Sequence, residues 1–201
     1  MSYITINTIE IAGFDSAIKA LHLPYSVTAE IDLDCDKSNI IVSDDVDTDN
    51  PTIHTEIMTN SKVNISYKDV TLLKALVKRG DEHAKVLRGI IVYALIDAPI
   101  HFWWDMETYT IGHQRLCSES TQNTECRGLS GKELLDIKDN IPFGRQVRKI
   151  DFFSYQCLRH IYKQRYNHRN HQWKEFCQWI ESLPLSEELI TIGLEDIKKE
   201  E

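Results

Sequence analysis

Apolar and polar positions alternate across residues 3–11 (YITINTIEI), where β-branched side chains dominate, and this pattern predicts a strand. Gly13, with Asp15 or Ser16 as N-cap, opens a helix to about Leu21, and Pro24 stops it. Short strands are expected at 28–34 and 39–43, and SDDVDTDNP at 43–51 reads as an acidic, mobile loop. Residues 52–67 are strand-like. Ser66 with Asp69 three residues on resembles a capping box, Leu72, Leu73, Leu76 and Val77 recur at helical spacing, and Gly80 fits the stop. The next segment starts at Asp81; its first part reads as helical and IIVYALI as a buried strand. A short helix is expected at 100–109, a polar loop at 119–131 and a turn or two of helix at 132–138. Two further helices are expected at 149–165 and 168–183, the last with a stripe of Trp173, Phe176, Cys177 and Ile180 and a stop at Pro184. Strands and helices that mix without regular βαβ alternation predict one α+β domain over 1–201, a mixed sheet with flanking helices.

The 201 residues suffice for one core, and 42% apolar with 27% charged residues is ordinary for a globular protein. No basic-then-apolar leader opens the chain, and the apolar stretch 89–104 is interrupted by Asp97, Pro99 and His101, so no membrane span is expected. Five scattered cysteines, an odd number, argue for a reducing, cytoplasmic setting. A net charge of −8 argues against coating of nucleic acid. The charge is uneven, however. Acids crowd 30–56, while between 145 and 174, within the basic, helical part at about 145–183, Arg145, Arg148, Lys149, Arg159, Lys163, Arg165, Arg169 and Lys174 face only Asp151. An anionic ligand prefers the second region; a solvated face that balances the acidic half is the plain alternative.

Three constellations could carry chemistry. His113, Cys117 and Cys126 match no zinc spacing, and HRNH at 168–171 lacks a metalloprotease glutamate, so no metal is expected. Ser118 and Ser120 flank Glu119 beside Cys117, but no nucleophile elbow surrounds them, and a capping loop accounts for them equally. The third is anion binding. Arg159, Lys163, Arg165 and Arg169 interleave with Tyr155, Tyr162, Tyr166 and Trp173, a combination that can hold phosphate and stack on a ring. No glycine-rich phosphate loop accompanies it.

The stretch LLKALVKRGDEHAKVLRGIIVYALIDAPIHFWWDMETYTIGHQRLCSES resembles the centre of flavin-dependent thymidylate synthases, where a helix ending near glycine leads to a histidine, an apolar strand and an aromatic-rich helix. Arg165 followed by HQWKEF at 171–176 is similar to the family's ending. The whole chain resembles a divergent phage- and bacteria-borne group through GFDSAIKAL at 13–21, the segment 98–121 and WKEFCQWIESLP at 173–184. The family signature RHRxxSxNExSxRY survives only in fragments. Its RHR position holds Asp105, Met106 and Glu107 if Trp103 and Trp104 align with the family helix, or Ile111, Gly112 and His113 if Glu119 aligns with the signature glutamate. Each charge-assisted hydrogen bond lost there contributes about 1.5–3 kcal/mol. The resemblance implies a synthase fold and a nucleotide or flavin-type ligand (FAD, bound weakly or not at all) held between subunits of a dimer or tetramer. It implies Ser118, Glu119 and Ser120 as catalytic remnants, His83 and Arg115 at the cofactor, and Arg165 and Arg159 at the substrate. The implied reaction is methyl transfer to a deoxyuridine nucleotide with hydride from reduced flavin. The alternative is a non-catalytic nucleotide-binding or nucleotide-sequestering protein of the same fold. On either reading HFWWDMETYT is a core-facing helix and GHQRLCSEST a remodelled ligand loop.

Overall fold

A computed structural model describes residues 3–25, 52–53 and 65–194; the strands expected at 28–34 and 39–43 and the acidic segment 43–51 lie outside the described residues. Strand β1 (Thr5–Ala12) leads into α1 (Phe14–His22), and a two-residue ladder joins β2 (Thr52–Ile53) to β3 (Ile65–Ser66). Then follow α2 (Tyr67–Arg79), β4 (Ile91–Pro99), α3 (Ile100–Met106), β5 (His113–Ser118), α4 (Gly131–Asp139), β6 (Gln146–Ser154), α5 (Tyr155–Arg165), α6 (His171–Glu181) and α7 (Ser186–Leu189). The main sheet runs β1-β4-β6-β5. The α+β class is as expected, but all three of its described pairings are antiparallel, where a mixed sheet was expected.

β4 is central, and its alternation shows why. Val92, Ala94, Ile96 and Ala98 are fully buried on the inner face, while Ile91, Tyr93, Leu95 and Asp97 point to the other side and are half-buried. The helices supply the rest of the core: Phe14 and Leu21 from α1, Leu73 and Val77 from α2, Leu158 and Ile161 from α5, and Trp173, Phe176 and Ile180 from α6. The two neighbouring tryptophans of α3 part company. Trp103 is buried and its Nε1 donates to the carbonyls of Ala98 and Val147, both at 3.0 Å, whereas Trp104 is exposed.

Local signals hold where a side chain can satisfy them alone. Ser66 Oγ accepts from Asp69 N at 3.2 Å and donates to Asp69 Oδ2 at 2.7 Å, which starts α2 as the capping pattern predicts. α1 starts differently. Its N-cap is Gly13, at φ 90° with no side-chain cap, rather than Asp15 or Ser16. Packing decides this: a Cβ on Gly13 would lie 1.8 Å from the Gly89 carbonyl oxygen. Two further expectations are corrected. Residues 149–154 are strand, not helix, because Val147, Lys149, Asp151 and Phe153 face inward with period 2 between β4 and β5. The expected ligand loop GHQRLCSEST is largely the edge strand β5, with a register shift between Arg115 and Cys117.

Candidate ligand cleft

Gly112 sits at the base of a candidate site. It has φ +75°, its carbonyl accepts from Ser154 N at 2.6 Å, and a Cβ there would lie 2.3 Å from Ser154 Oγ. Only glycine lets the turn before β5 lie this close to the start of α5. Ser154 caps that helix, accepting from Cys157 N at 3.2 Å, so the positive end of an eleven-residue helix lies at the contact. Beside it opens a cleft of about 720 Å³. Thr108, Tyr109, Thr110, Ile111 and Gly112 form one wall, Ser154, Gln156, Cys157 and His160 another, and Asp81 and Arg88 line it as well.

The walls are held by a relay of polar contacts. Arg165 Nε donates to Tyr109 Oη at 2.7 Å, Tyr109 Oη donates to Gln164 Oε1 at 3.0 Å, and the Gln164 amide donates to His160 Nε2 at 3.0 Å. His160 thus accepts at Nε2, which leaves Nδ1 as the donor of the neutral ring. Burial raises the Tyr109 phenol above its usual range, against the opposing pull of Arg165. The Cys157 thiol is pushed up to about 12 by burial, so it stays protonated and is no nucleophile. Arg88 Nε donates to Gln156 Oε1 at 2.9 Å and is the cleft's guanidinium.

The residues proposed from sequence do not gather in one chain. Ser118, Glu119 and Ser120 lie at and just beyond the far end of β5, with Ser118 six positions from Gly112 or roughly 20 Å along the strand. Glu119 accepts from Arg148 N at 3.3 Å, and that backbone bond holds its carboxyl below the usual range. Arg115 points to Glu107 and toward Asp151. Arg159 Nη1 donates to the carbonyls of Ile190 at 2.6 Å and Ile192 at 2.8 Å, tying α5 to the segment after α7. Arg165 stacks over Trp173 at 4.6 Å and reaches the cleft only through Tyr109. His83 is exposed, two residues from cleft-lining Asp81. The tyrosines interleaved with the bases are core: Tyr155 and Tyr162 are fully buried. The basic segment finds partners within the fold, Arg145 on Glu125 and Arg148 on Glu119. Among the described residues no three His, Cys, Asp or Glu side chains gather for a metal ion.

Sequence reasoning missed Tyr109, Gly112, Ser154, Gln156 and His160. The helix-capping serine was the one readable signal; the contact across 42 positions from Gly112 to Ser154 has none.

No family sequence model matches the chain, and no curated relative does. Solved structures do match over nearly its whole length. Thymidylate synthase X (ThyX) from Helicobacter pylori, with FAD and dUMP, is 10% identical at a TM-score of 0.57, covering 94% of this chain and 97% of that one. The UMP/dUMP methylase PolB from Streptomyces cacaoi, bound with 5-Br dUMP, is 13% identical at a TM-score of 0.58, covering 94% and 95%. The protein has the fold of flavin-dependent thymidylate synthases; at such identity the likeness is one of fold alone.

Proposed function

We propose that this protein binds a uridine-type nucleotide in the cleft between the Thr108–Gly112 turn and the start of α5. One observation carries the reading: the cleft combines a buried tyrosine, a helix N-terminus and an arginine, which suits an aromatic base with a phosphate. Both fold neighbours hold ligands of that class. Because the family signature RHRxxSxNExSxRY survives here only in fragments, the reading favours the non-catalytic, nucleotide-binding alternative over flavin-dependent methylation.

A homo-oligomer belongs to the same proposal. Tyr93, Leu95, Ile150 and Phe152 form a half-buried apolar strip on the sheet face away from the core cluster, with the Tyr93 and Phe152 rings 5.8 Å apart. A second copy covering this face would let ligand residues come from different chains, and Ser118, Glu119, Ser120 and His83 are then the groups to test beside the cleft.

Calorimetric titration with dUMP, UMP and FAD tests the reading, together with an absorption spectrum of protein purified without added cofactor. We expect saturable binding of dUMP or UMP and a colourless preparation. Gln156→Glu, which sets a carboxylate at the helix start beside Arg88, should weaken nucleotide binding at least tenfold with a melting temperature no lower than that of wild type. A yellow preparation with stoichiometric flavin restores the methylation reading; absence of nucleotide binding removes the cleft as the site.

A further inference from the structure

A charged cluster sits where β5, β6 and the C-terminal end of α3 meet, and none of its members lines the cleft. Lys149 and Asp151 occupy inward positions of β6 and are 8% and 0% exposed. Arg115 reaches in from β5. Glu107, the C-cap residue of α3, closes the cluster from outside with about half of its side chain in solvent.

The charges can be counted. Asp151 Oδ2 is 2.7 Å from His113 Nε2, and His113 Nδ1 is 2.9 Å from the Tyr109 carbonyl. A carbonyl only accepts, so Nδ1 carries a hydrogen, and a proton must also lie between Nε2 and Oδ2. Whichever atom holds that proton, the His113–Asp151 pair sums to zero. Two cations remain, Arg115 and Lys149, and both lean on one oxygen, Glu107 Oε1. The cluster thus carries one excess positive charge.

Geometry repeats the imbalance. Lys149 Nζ is 3.6 Å from Glu107 Oε1 and 4.3 Å from the centre of the Trp103 ring. Arg115 Nε is buried without a hydrogen-bond partner, 4.0 Å from Asp151 Oδ1, which has none either. Burial, and next the charge of Arg115, push the Lys149 ammonium below its ordinary range, as befits a cation short of counter-charge. The single acid stands at a helix end with solvent on one side.

We propose that Arg115 and Lys149 form a site for a phosphate-class oxyanion, which Glu107 occupies as a displaceable internal counter-ion. With Glu107 turned outward the two cations carry two positive charges, the complement of a phosphate near its dianion at neutral pH. The planar fork of Arg115 and the compact ammonium of Lys149 are donors with no acceptor character of their own. Because the cleft does not include these residues, this site stands or falls separately from the nucleotide reading.

The experiment titrates inorganic phosphate and glycerol phosphate into wild type, Glu107→Gln and the double variant Glu107→Gln with Arg115→Lys, with acetate and chloride at matched ionic strength. Thermal melts accompany the calorimetry. We expect Glu107→Gln to bind phosphate or its ester at least tenfold more tightly than wild type, with a saturable rise in melting temperature that chloride does not give and acetate gives only in part. Arg115→Lys keeps the charge but lacks the fork and should remove most of the gain. Tighter binding of the ester than of free phosphate marks an ester as the ligand, and the reverse marks the free ion. If Glu107→Gln melts lower in every buffer and takes up phosphate no better than wild type, Glu107 is a plain ion-pair partner and the proposal fails. It fails equally if the gain survives Arg115→Lys undiminished.

Discussion

Gly112 shows how much can depend on one missing Cβ. Its left-handed φ and its contact with Ser154 both exclude a side chain. Gly112→Ala should destabilise the protein by about 1–3 kcal/mol in urea unfolding, the usual cost of a strained backbone position. A neutral result would mean that the β5 turn and α5 do not touch as described. His168 supplies a pH dependence. Burial, and next the positive charge of Arg165, hold its imidazole below the ordinary histidine value. The unfolded chain therefore takes a proton first as pH falls from about 6.5, so this contribution to stability is intact above that pH and is lost as pH drops through the folded value. His168→Gln should flatten that part of the stability profile between pH 7 and 5. An unchanged slope would show that His168 is not held in this partly buried place beside Arg165 in solution.

At the scale of elements, Arg165 couples α5 to the turn before β5 and to α6. Its guanidinium lies 4.6 Å from the Trp173 ring centre and donates to Tyr109 Oη. Arg165→Ala should lower stability by about 1–3 kcal/mol, combining a part-buried cation–π contact with a charge-assisted hydrogen bond. Arg165→Lys should recover only part, because an ammonium cannot stack as a plane while donating sideways. Thermal melts with dUMP titrations of both variants separate the roles. If Arg165 acts only through Tyr109, affinity changes little while the melting temperature drops; a loss of affinity at constant melting temperature would instead make it a direct ligand residue. The neighbouring strand pair makes a similar point. β6 reads poorly as a strand because Lys149 and Asp151 stand at inward positions, and they are tolerated there because β5 and α3 bring His113, Arg115 and Glu107 to them.

At the scale of the molecule, the sheet has two apolar faces and the described core uses one. Light scattering of purified protein should give a mass above 23.3 kDa, and Phe152→Lys, which places a charge on the second face, should shift it toward that of the single chain. A wild-type protein that scatters as one chain at micromolar concentration would remove the oligomer, and with it the sharing of site residues between copies. Among the described residues no helix is long and apolar enough to cross a membrane.

What the sequence determined by itself was local: the alternation of β1, the apolar run of β4, the Ser66 cap and Gly80 stop of α2, the inward face of α3 and the apolar stripe of α6. Each depends on side chains within a turn or two of one another, so the signal is written in the spacing. The synthase-like order of the elements was legible too, since it needs only their succession. The cleft was decided by tertiary structure. It exists because Gly112 meets Ser154 and because Tyr109, in the turn before β5, reaches Gln164 and Arg165 of α5 across 55 and 56 positions; of the relay only the Gln164–His160 pair, one helical turn apart, follows from sequence spacing. The charged cluster had the same origin. In the sequence Arg115 stands as a cofactor candidate, Lys149 as one base of the basic segment and Glu107 as an occupant of the lost RHR position, and only the pairing of β5 with β6 beneath the end of α3 sets two cations against one acid.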